Sequence, residues 1–325
     1  MKPNPSAAVV VAPVVVVLDD WEGRWAAYPA LSTIRPLADV RIFADRFLGL
    51  TDLAAAAGDA TVLVLNRERT RVDAALLDAL PHLRVIVNTG GGLNHVNRAA
   101  AEARGVRILT TGGRSRAVAE QTFALMLAAV KHLPQLDRGI RVGRFATRPL
   151  VGDLYGKRLG LAGLGTIGTH VARIAPAFGM HVTAWSPSLS DERAAELGAT
   201  RAPSLSALAR ASDVFSVHLR LVPETRGIVS AEVIAALPHG ALFVNTARAE
   251  LVDTEALLER AERGDLSVAL DVFEDEPDID ARYRMLPGAL SPHVGWKSEG
   301  TWDEFVSLGV DRILEALASL EGATT

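Results

Sequence analysis

The chain has 325 residues, a formal net charge of −4, 49% hydrophobic and 22% charged residues, and no cysteine. That length allows two domains with sizeable cores, and the composition is that of an ordinary globular protein. The mildly acidic balance supplies no basic field for nucleic acid. The missing thiols exclude disulfides, thiolate zinc sites, iron–sulfur clusters and a cysteine nucleophile, and they fit a reducing, cytoplasmic setting.

In chain order, the first strongly apolar run is Ala7–Leu18. Pro13 interrupts it, and Asp19-Asp20-Trp21 follow where a cleavage site would need small residues. It therefore reads as a buried strand, Val14–Leu18, and not as a secretion signal. No run reaches membrane-spanning length, so no membrane partner is expected. Further strands are predicted at Val40–Phe43, Thr61–Leu65, Val85–Val87 and Arg107–Leu109, with helical stretches between them, for example Asp73–Leu80 and Val96–Arg104. Short apolar strands alternating with helices predict an α/β fold with a parallel sheet covered on both faces. After the fourth strand comes Gly90-Gly91-Gly92-Leu93-Asn94. Composition leaves it open between a flexible loop and a row of bare amides able to hold an anion. Ala119–Leu133 is apolar on nearly every face, which predicts a helix buried between domains or subunits and broken by Pro134. The first crossing between domains is expected near Thr111–Ala117, and Asp137–Tyr155 reads as a polar, glycine-bearing lead-in.

The stretch Lys157–Gly168 organises the second half. A short strand, Arg158–Ala162, runs into Gly163-x-Gly165-x-x-Gly168 and then a helix carrying Ile167, Val171, Ile174, Ala175 and Phe178, with Gly179 at its end. Gly163 permits the tight turn, Gly165 lets a pyrophosphate approach the backbone, and Gly168 allows the helix to pack on the strand. The helix N-terminus offers unpaired N–H groups to the phosphates. Alternation then resumes with strands at His181–Trp185, Val214–Val217, Ala241–Asn245 and Ser267–Leu270 and a last strand ending near Leu290. Helices are predicted at Asp191–Leu197, Ser204–Arg210, Ala231–Ala236, Thr254–Arg263 and about Trp302–Leu320.

Open parallel sheets bind ligands beyond the carboxyl ends of their strands. Three reactive side chains fall there: Arg248 after Ala241–Asn245, Glu276 after Ser267–Leu270, and His293 after the last strand. An imidazole can pass a proton to or from a carbonyl oxygen, a carboxylate stabilises the imidazolium, and a guanidinium grips a carboxylate. Together they suit reduction of a 2-keto acid. Taken singly, each could equally be a solvated surface residue, and His218, also just past a strand, competes with His293 for the acid/base role.

The segments GLGTIG (163–168), VHLRLVPETRGIV (217–229), FVNTARAELVDTEAL (243–257), ALDVFEDEP (269–277) and SPHVGW (291–296) closely resemble the D-isomer-specific 2-hydroxyacid dehydrogenases. GGGLNHVN (90–97) and AVAEQTFALMLAAVKHL (117–133) match more loosely. The resemblance implies an NAD(P)-dependent oxidoreductase that moves a hydride between the nicotinamide and C2 of a small 2-keto or D-2-hydroxy acid. Two doubly wound parallel-sheet domains with a cleft are expected. Residues 1–113 and 293–325 would form a flavodoxin-like substrate domain, and 114–292 a Rossmann-like domain through which a homodimer forms. Arg248 would bind and polarise substrate, Glu276 pair with the histidine, and His293 act as acid/base. Gly91 and Gly92 would hold the substrate carboxylate together with Arg248 and His293. Cofactor contacts are implied at Gly163, Gly165, Thr166, Ile167, Gly168, Ser186, His218, Thr225, Thr246, Arg248, Asp271, His293 and Gly295. No metal is implied.

The sequence also departs from the family. Ser186 stands where NAD-dependent members carry an acidic residue that binds the ribose hydroxyls, and no arginine for a 2′-phosphate replaces it; Arg193 is the nearest downstream. The coenzyme is NAD or NADP, with NAD slightly favoured. Arg220 occupies a place the family gives to small or apolar residues. Arg114, Arg116 and Trp296 are further pocket candidates, Arg114 as an anion clamp. A formate-oxidising relative would carry glutamine in place of Glu276. The rival reading is a dinucleotide-sensing corepressor-type protein, which would keep the same triad. The short stretch after the last helix leaves little tail for partners, which speaks against it.

Overall fold

The computed structural model describes residues 12–112, 116–145 and 150–321. The chain divides into two compact units, Met1–Gly113 with Glu299–Thr325, and Arg114–Ser298. In the first, strands β1 (Val14–Leu18), β2 (Asp39–Ile42), β3 (Val62–Leu65), β4 (Val85–Asn88) and β5 (Arg107–Thr110) form one sheet in the order β2-β1-β3-β4-β5. All its pairings are parallel. This is the flavodoxin-like order. β1, β3 and β4 are buried throughout, as parallel strands covered on both faces must be. The helices are α1 (Leu50–Ala57), α2 (Ala74–Ala79), α3 (Arg98–Ala103) and, returning from the far end of the sequence, α11 (Glu299–Glu321). Asp73 and Asn97 cap α2 and α3 by accepting from Leu76 N and Ala100 N. The Trp25 indole lies against bare Gly309 of α11 and donates to Asn66 Oδ1 at 2.8 Å.

In the second unit, β6 (Arg158–Ala162), β7 (His181–Trp185), β8 (Thr200–Arg201), β9 (Val214–Val217), β10 (Ala241–Asn245), β11 (Leu266–Leu270) and β12 (Gly288–Leu290) are ordered β12-β11-β10-β9-β6-β7-β8. Again every pairing is parallel. Read from β6, this is the dinucleotide-fold order with one added strand, and its switch point lies between β6 and β9. One face is covered by α8 (Leu205–Arg210), α9 (Ala231–Ala235) and α10 (Thr254–Glu262), whose Leu208, Ile234 and Leu258 pack with Phe215 and Phe243. The other carries α4 (Arg116–Val130), α6 (Thr166–Ile174) and α7 (Asp191–Glu196). α5 (Leu133–Arg141) follows α4 and buries none of its residues. No described helix is long and apolar enough to cross a membrane.

Three sequence expectations change. The apolar helix α4 packs on β10, β11, β12 and α6 of its own unit, and this contact accounts for the burial of Phe123 and Met126. Pro134 does not end the helical region: it sits in the first turn of α5, where a missing N–H costs nothing. The second crossing lies at Ser298/Glu299, not 292/293, because the amides of Val294 and Gly295 are tied to Asp271 at the end of β11.

Candidate active site

The glycine turn follows β6 at the switch point. Gly163 has φ +106°, and a Cβ there would lie 2.6 Å from the carbonyl carbon and oxygen of His218. A Cβ on Gly168 would strike the carbonyl oxygen of Gly163, so helix and turn can close up only without side chains. Gly165 caps α6 with nothing within 4 Å of a Cβ position, and Gly165 and Thr166 are exposed. Exposed amides at the start of a nine-residue helix, over a turn that excludes side chains, fit a dinucleotide pyrophosphate. Ile167 is half-buried behind them. Gly163→Ala is expected to cost about 1–3 kcal/mol, measured as a lower melting temperature, from positive φ and collision with the His218 carbonyl.

His293 and Glu276 meet. His293 Nδ1 lies 2.7 Å from Glu276 Oε2, with their side chains 31% and 33% exposed. The other Glu276 oxygen accepts from Phe273 N at 2.8 Å, which fixes the carboxylate within its own loop. With Glu276 as acceptor, Nδ1 carries the proton of this contact and Nε2 is the ring nitrogen left for a ligand. His293 itself has φ +52°. That left-handed backbone is disfavoured for a side-chain-bearing residue, and the surroundings over-determine it. Buried Asp271, just beyond β11, accepts from Val294 N at 3.0 Å and Gly295 N at 2.8 Å on one side of His293, and from the Ser291 hydroxyl on the other. Gln121 of α4 donates to Ser291 Oγ at 2.9 Å, tying the His293 segment to α4. Asp271, which the resemblance puts at the nicotinamide, is here the latch of the His293 turn. Gln121 and Ser291 were not singled out in the sequence, because neither follows a strand as a titratable group.

Arg248 leaves β10, the strand paired to β11. Its carbonyl accepts from Asn245 Nδ2 at 2.9 Å, Asn245 Oδ1 accepts from Ala247 N at 2.9 Å, and Arg248 Nη1 donates to Ala247 O at 2.7 Å. Asn245 therefore shapes the turn that presents the arginine. Thr246 is buried, with its hydroxyl 2.9 Å from that of Thr122 on α4. Thr225 donates to Arg220 O at 2.6 Å and accepts from Val222 N at 2.9 Å, which closes the loop after β9. Ser186 directly follows β7, Trp296 is half-buried, and Arg116 is exposed at the start of α4. Arg114 lies outside the described residues.

His218 is buried, with Nε2 2.8 Å from Ser216 Oγ and no partner for Nδ1 among the described residues. Burial pushes its pKa down to about 4, so it is neutral near pH 7. In the unfolded chain it would titrate near 6.5. Between those values the unfolded state binds a proton that the folded state refuses. Stability should therefore fall by up to about 3 kcal/mol as pH drops from 6.5 towards 4, and level off below. His218→Gln should flatten this slope in urea unfolding at pH 6.5 and 4.5; an unchanged slope would assign it to other groups.

In the first unit, Gly91 and Gly92 lie in the loop after β4, which is held by Asn88 Nδ2 donating to Gly92 O at 2.9 Å and by Gly90 N donating to Thr111 Oγ1 at 2.8 Å. Gly91 is exposed, with nothing within 4 Å of a Cβ. The Arg67 guanidinium packs on Gly90 and the Glu68 carboxylate on Gly92. Neither residue was marked in the sequence, since an Arg-Glu-Arg run ordinarily reads as solvated surface. Among the described residues no cluster of three or more His, Asp or Glu is placed to hold a metal.

Strand order and glycine cradle define a dinucleotide-binding α/β protein. Residues 123–295 match the family description "D-isomer specific 2-hydroxyacid dehydrogenase, NAD binding domain". The chain belongs to the D-isomer-specific 2-hydroxyacid dehydrogenase family. It is 36% identical over 245 residues to the D-3-phosphoglycerate dehydrogenase of Methanocaldococcus jannaschii, covering 74% of this chain and 47% of that one. The chain thus spans about half the length of the curated relatives it matches. Among solved structures it is similar to a phosphoglycerate oxidoreductase from Vibrio cholerae O395, with TM-score 0.83, 32% identity, and 95% and 100% of the two chains covered. A glyoxylate reductase from Paecilomyes thermophila gives TM-score 0.79 at 29% identity, covering 94% and 95%.

Proposed function

We propose that this protein is an NAD(P)H-dependent reductase of small 2-keto acids, running in reverse as a D-2-hydroxyacid dehydrogenase. The observation that carries the reading is the 2.7 Å contact between His293 Nδ1 and Glu276 Oε2, at the strand-end rim that also holds the glycine cradle. When bound, the nicotinamide supplies or takes up the hydride. Gly163, Gly165, Thr166, Ile167 and Gly168 hold its pyrophosphate. Arg248 grips the substrate carboxylate and polarises the adjoining carbonyl through its fork of N–H donors. The resemblance also assigns Gly91 and Gly92 to that carboxylate. His293 gives the carbonyl oxygen its proton from Nε2 during reduction and takes it back during oxidation, while Glu276 fixes the ring and balances the charge on the imidazolium. His218 is unsuited to this role: its imidazole is buried and held neutral.

A homodimer formed through the second unit belongs to the same proposal. It is supported by the exposed apolar side chains Ile140, Val142, Phe145, Leu150 and Tyr155, with Phe145 and Leu150 89% and 95% exposed. Light scattering should give twice the chain mass. The activity is tested by following NADH and NADPH oxidation with glyoxylate, hydroxypyruvate, pyruvate and bulkier 2-keto acids. Turnover with at least one is expected. Coenzyme binding without turnover on any of them would favour the dinucleotide-sensing alternative.

A further inference from the structure

We propose that Arg220 binds the 2′-phosphate of NADPH, so that the coenzyme site accepts the phosphorylated dinucleotide at least as well as NADH. This rests on the dinucleotide reading above and assigns a residue that the family pattern leaves without a role.

The geometry comes from three neighbouring strand ends. Gly163 N donates to Trp185 O at 2.7 Å on the β7 side, and His218 N donates to Ala162 O at 2.7 Å on the β9 side. The pyrophosphate turn is therefore flanked by Ser186 on one side and by His218-Leu219-Arg220 on the other, two strand spacings apart, about 10 Å. The β9 exit is pressed against the turn: a Cβ on Gly163 would lie 2.8 Å from Leu219 N. Arg220 is the next residue. Thr225 pins its carbonyl at 2.6 Å, while its side chain is exposed and its guanidinium makes no ion pair among the described residues. A long side chain anchored at its base beside the cradle can extend along the adenosine half of a bound dinucleotide.

The chemistry on the other flank agrees. An NAD-selective site places a carboxylate after β7 to bind the ribose diol and repel a 2′-phosphate. Here Ser186-Pro187-Ser188 follow, two neutral hydroxyls, and the loop turns back with Leu189 N donating to Ser186 O at 3.2 Å. The arginines that follow in sequence, Arg193 and Arg201, form surface pairs with Glu196 at 2.8 Å and Asp191 at 3.5 Å, whereas Arg220 has no such pair among the described residues. Arg220 therefore supplies the positive charge, and its planar fork suits a phosphate dianion.

The test is direct binding of NADPH and NADH, by quenching of intrinsic fluorescence, to wild type, Arg220→Gln and Arg220→Lys. Wild type should bind NADPH as tightly as NADH or more so. Arg220→Gln should weaken NADPH by about tenfold or more while sparing NADH, and Arg220→Lys should restore part of the loss. Equal weakening of both coenzymes, no change in either, or a wild type that binds NADH about tenfold tighter would overturn the assignment while leaving the enzyme reading in place. Wild type that binds neither coenzyme would remove both.

Discussion

His293→Ala should lower kcat by about 10²–10⁴-fold, the contribution of a positioned acid/base, with the Kd for NADH nearly unchanged. The split follows from the geometry. The phosphate cradle is built from backbone at Gly163, Gly165 and Gly168, and none of it depends on the imidazole. The His293 turn is held through the amides of Val294 and Gly295, so truncating the ring leaves the latch on Asp271 in place. Glu276→Gln should fall between wild type and His293→Ala, because an amide can still orient Nδ1 but cannot balance the imidazolium charge. Stopped-flow NADH oxidation with a saturating keto acid reads both variants. Equal turnover in His293→Ala would remove the histidine from the mechanism.

Arg248→Lys should cost about 10–100-fold in kcat/KM although the charge is kept, since a point ammonium replaces a two-pronged donor. The Arg248 turn is held by both polar groups of the Asn245 side chain as well as by the guanidinium bond to Ala247 O, so the variant should fold with its melting temperature changed little. Most of the loss should appear in KM for the keto acid, with KM for coenzyme spared. An unchanged rate and KM would contradict the carboxylate-clamp role.

The units that carry these residues were legible in the sequence to unequal degrees. β1, β6, β7, β9 and β10 have the bounds expected from their apolar runs: β1, β9 and β10 are buried throughout, and β6 and β7 bury apolar residues such as Leu161, Val182 and Ala184. α1 falls between two predicted strands, where a helical stretch is expected, but its bounds do not show: Gly49 gives it no side-chain cap, and its alanine-rich sequence carries little pattern. α5 was missed because Pro134 reads as a stop, whereas it begins the next helix. β8, two exposed residues, is too short for any periodicity to show. At the site, strand-end placement singled out Arg248, Glu276 and His293. Spacing alone could not show that residues 17 apart touch, since that contact depends on the left-handed backbone at His293 and the Phe273–Glu276 loop bond. Likewise, Asp271 as a latch is visible only once Ser291, Val294 and Gly295 are seen around it.

The central claim is hydride transfer to C2 with His293 supplying the proton, and isotope transfer tests it most directly. Wild type would be incubated with a keto acid and NADH or NADPH carrying deuterium at the transferable C4 position, and the hydroxy acid read by mass spectrometry and NMR. Deuterium at C2 is expected in the product of wild type, and His293→Ala should form the same labelled product about 10²–10⁴-fold more slowly. Coenzyme oxidation without deuterium in the product, or equally fast transfer by the variant, would contradict the account.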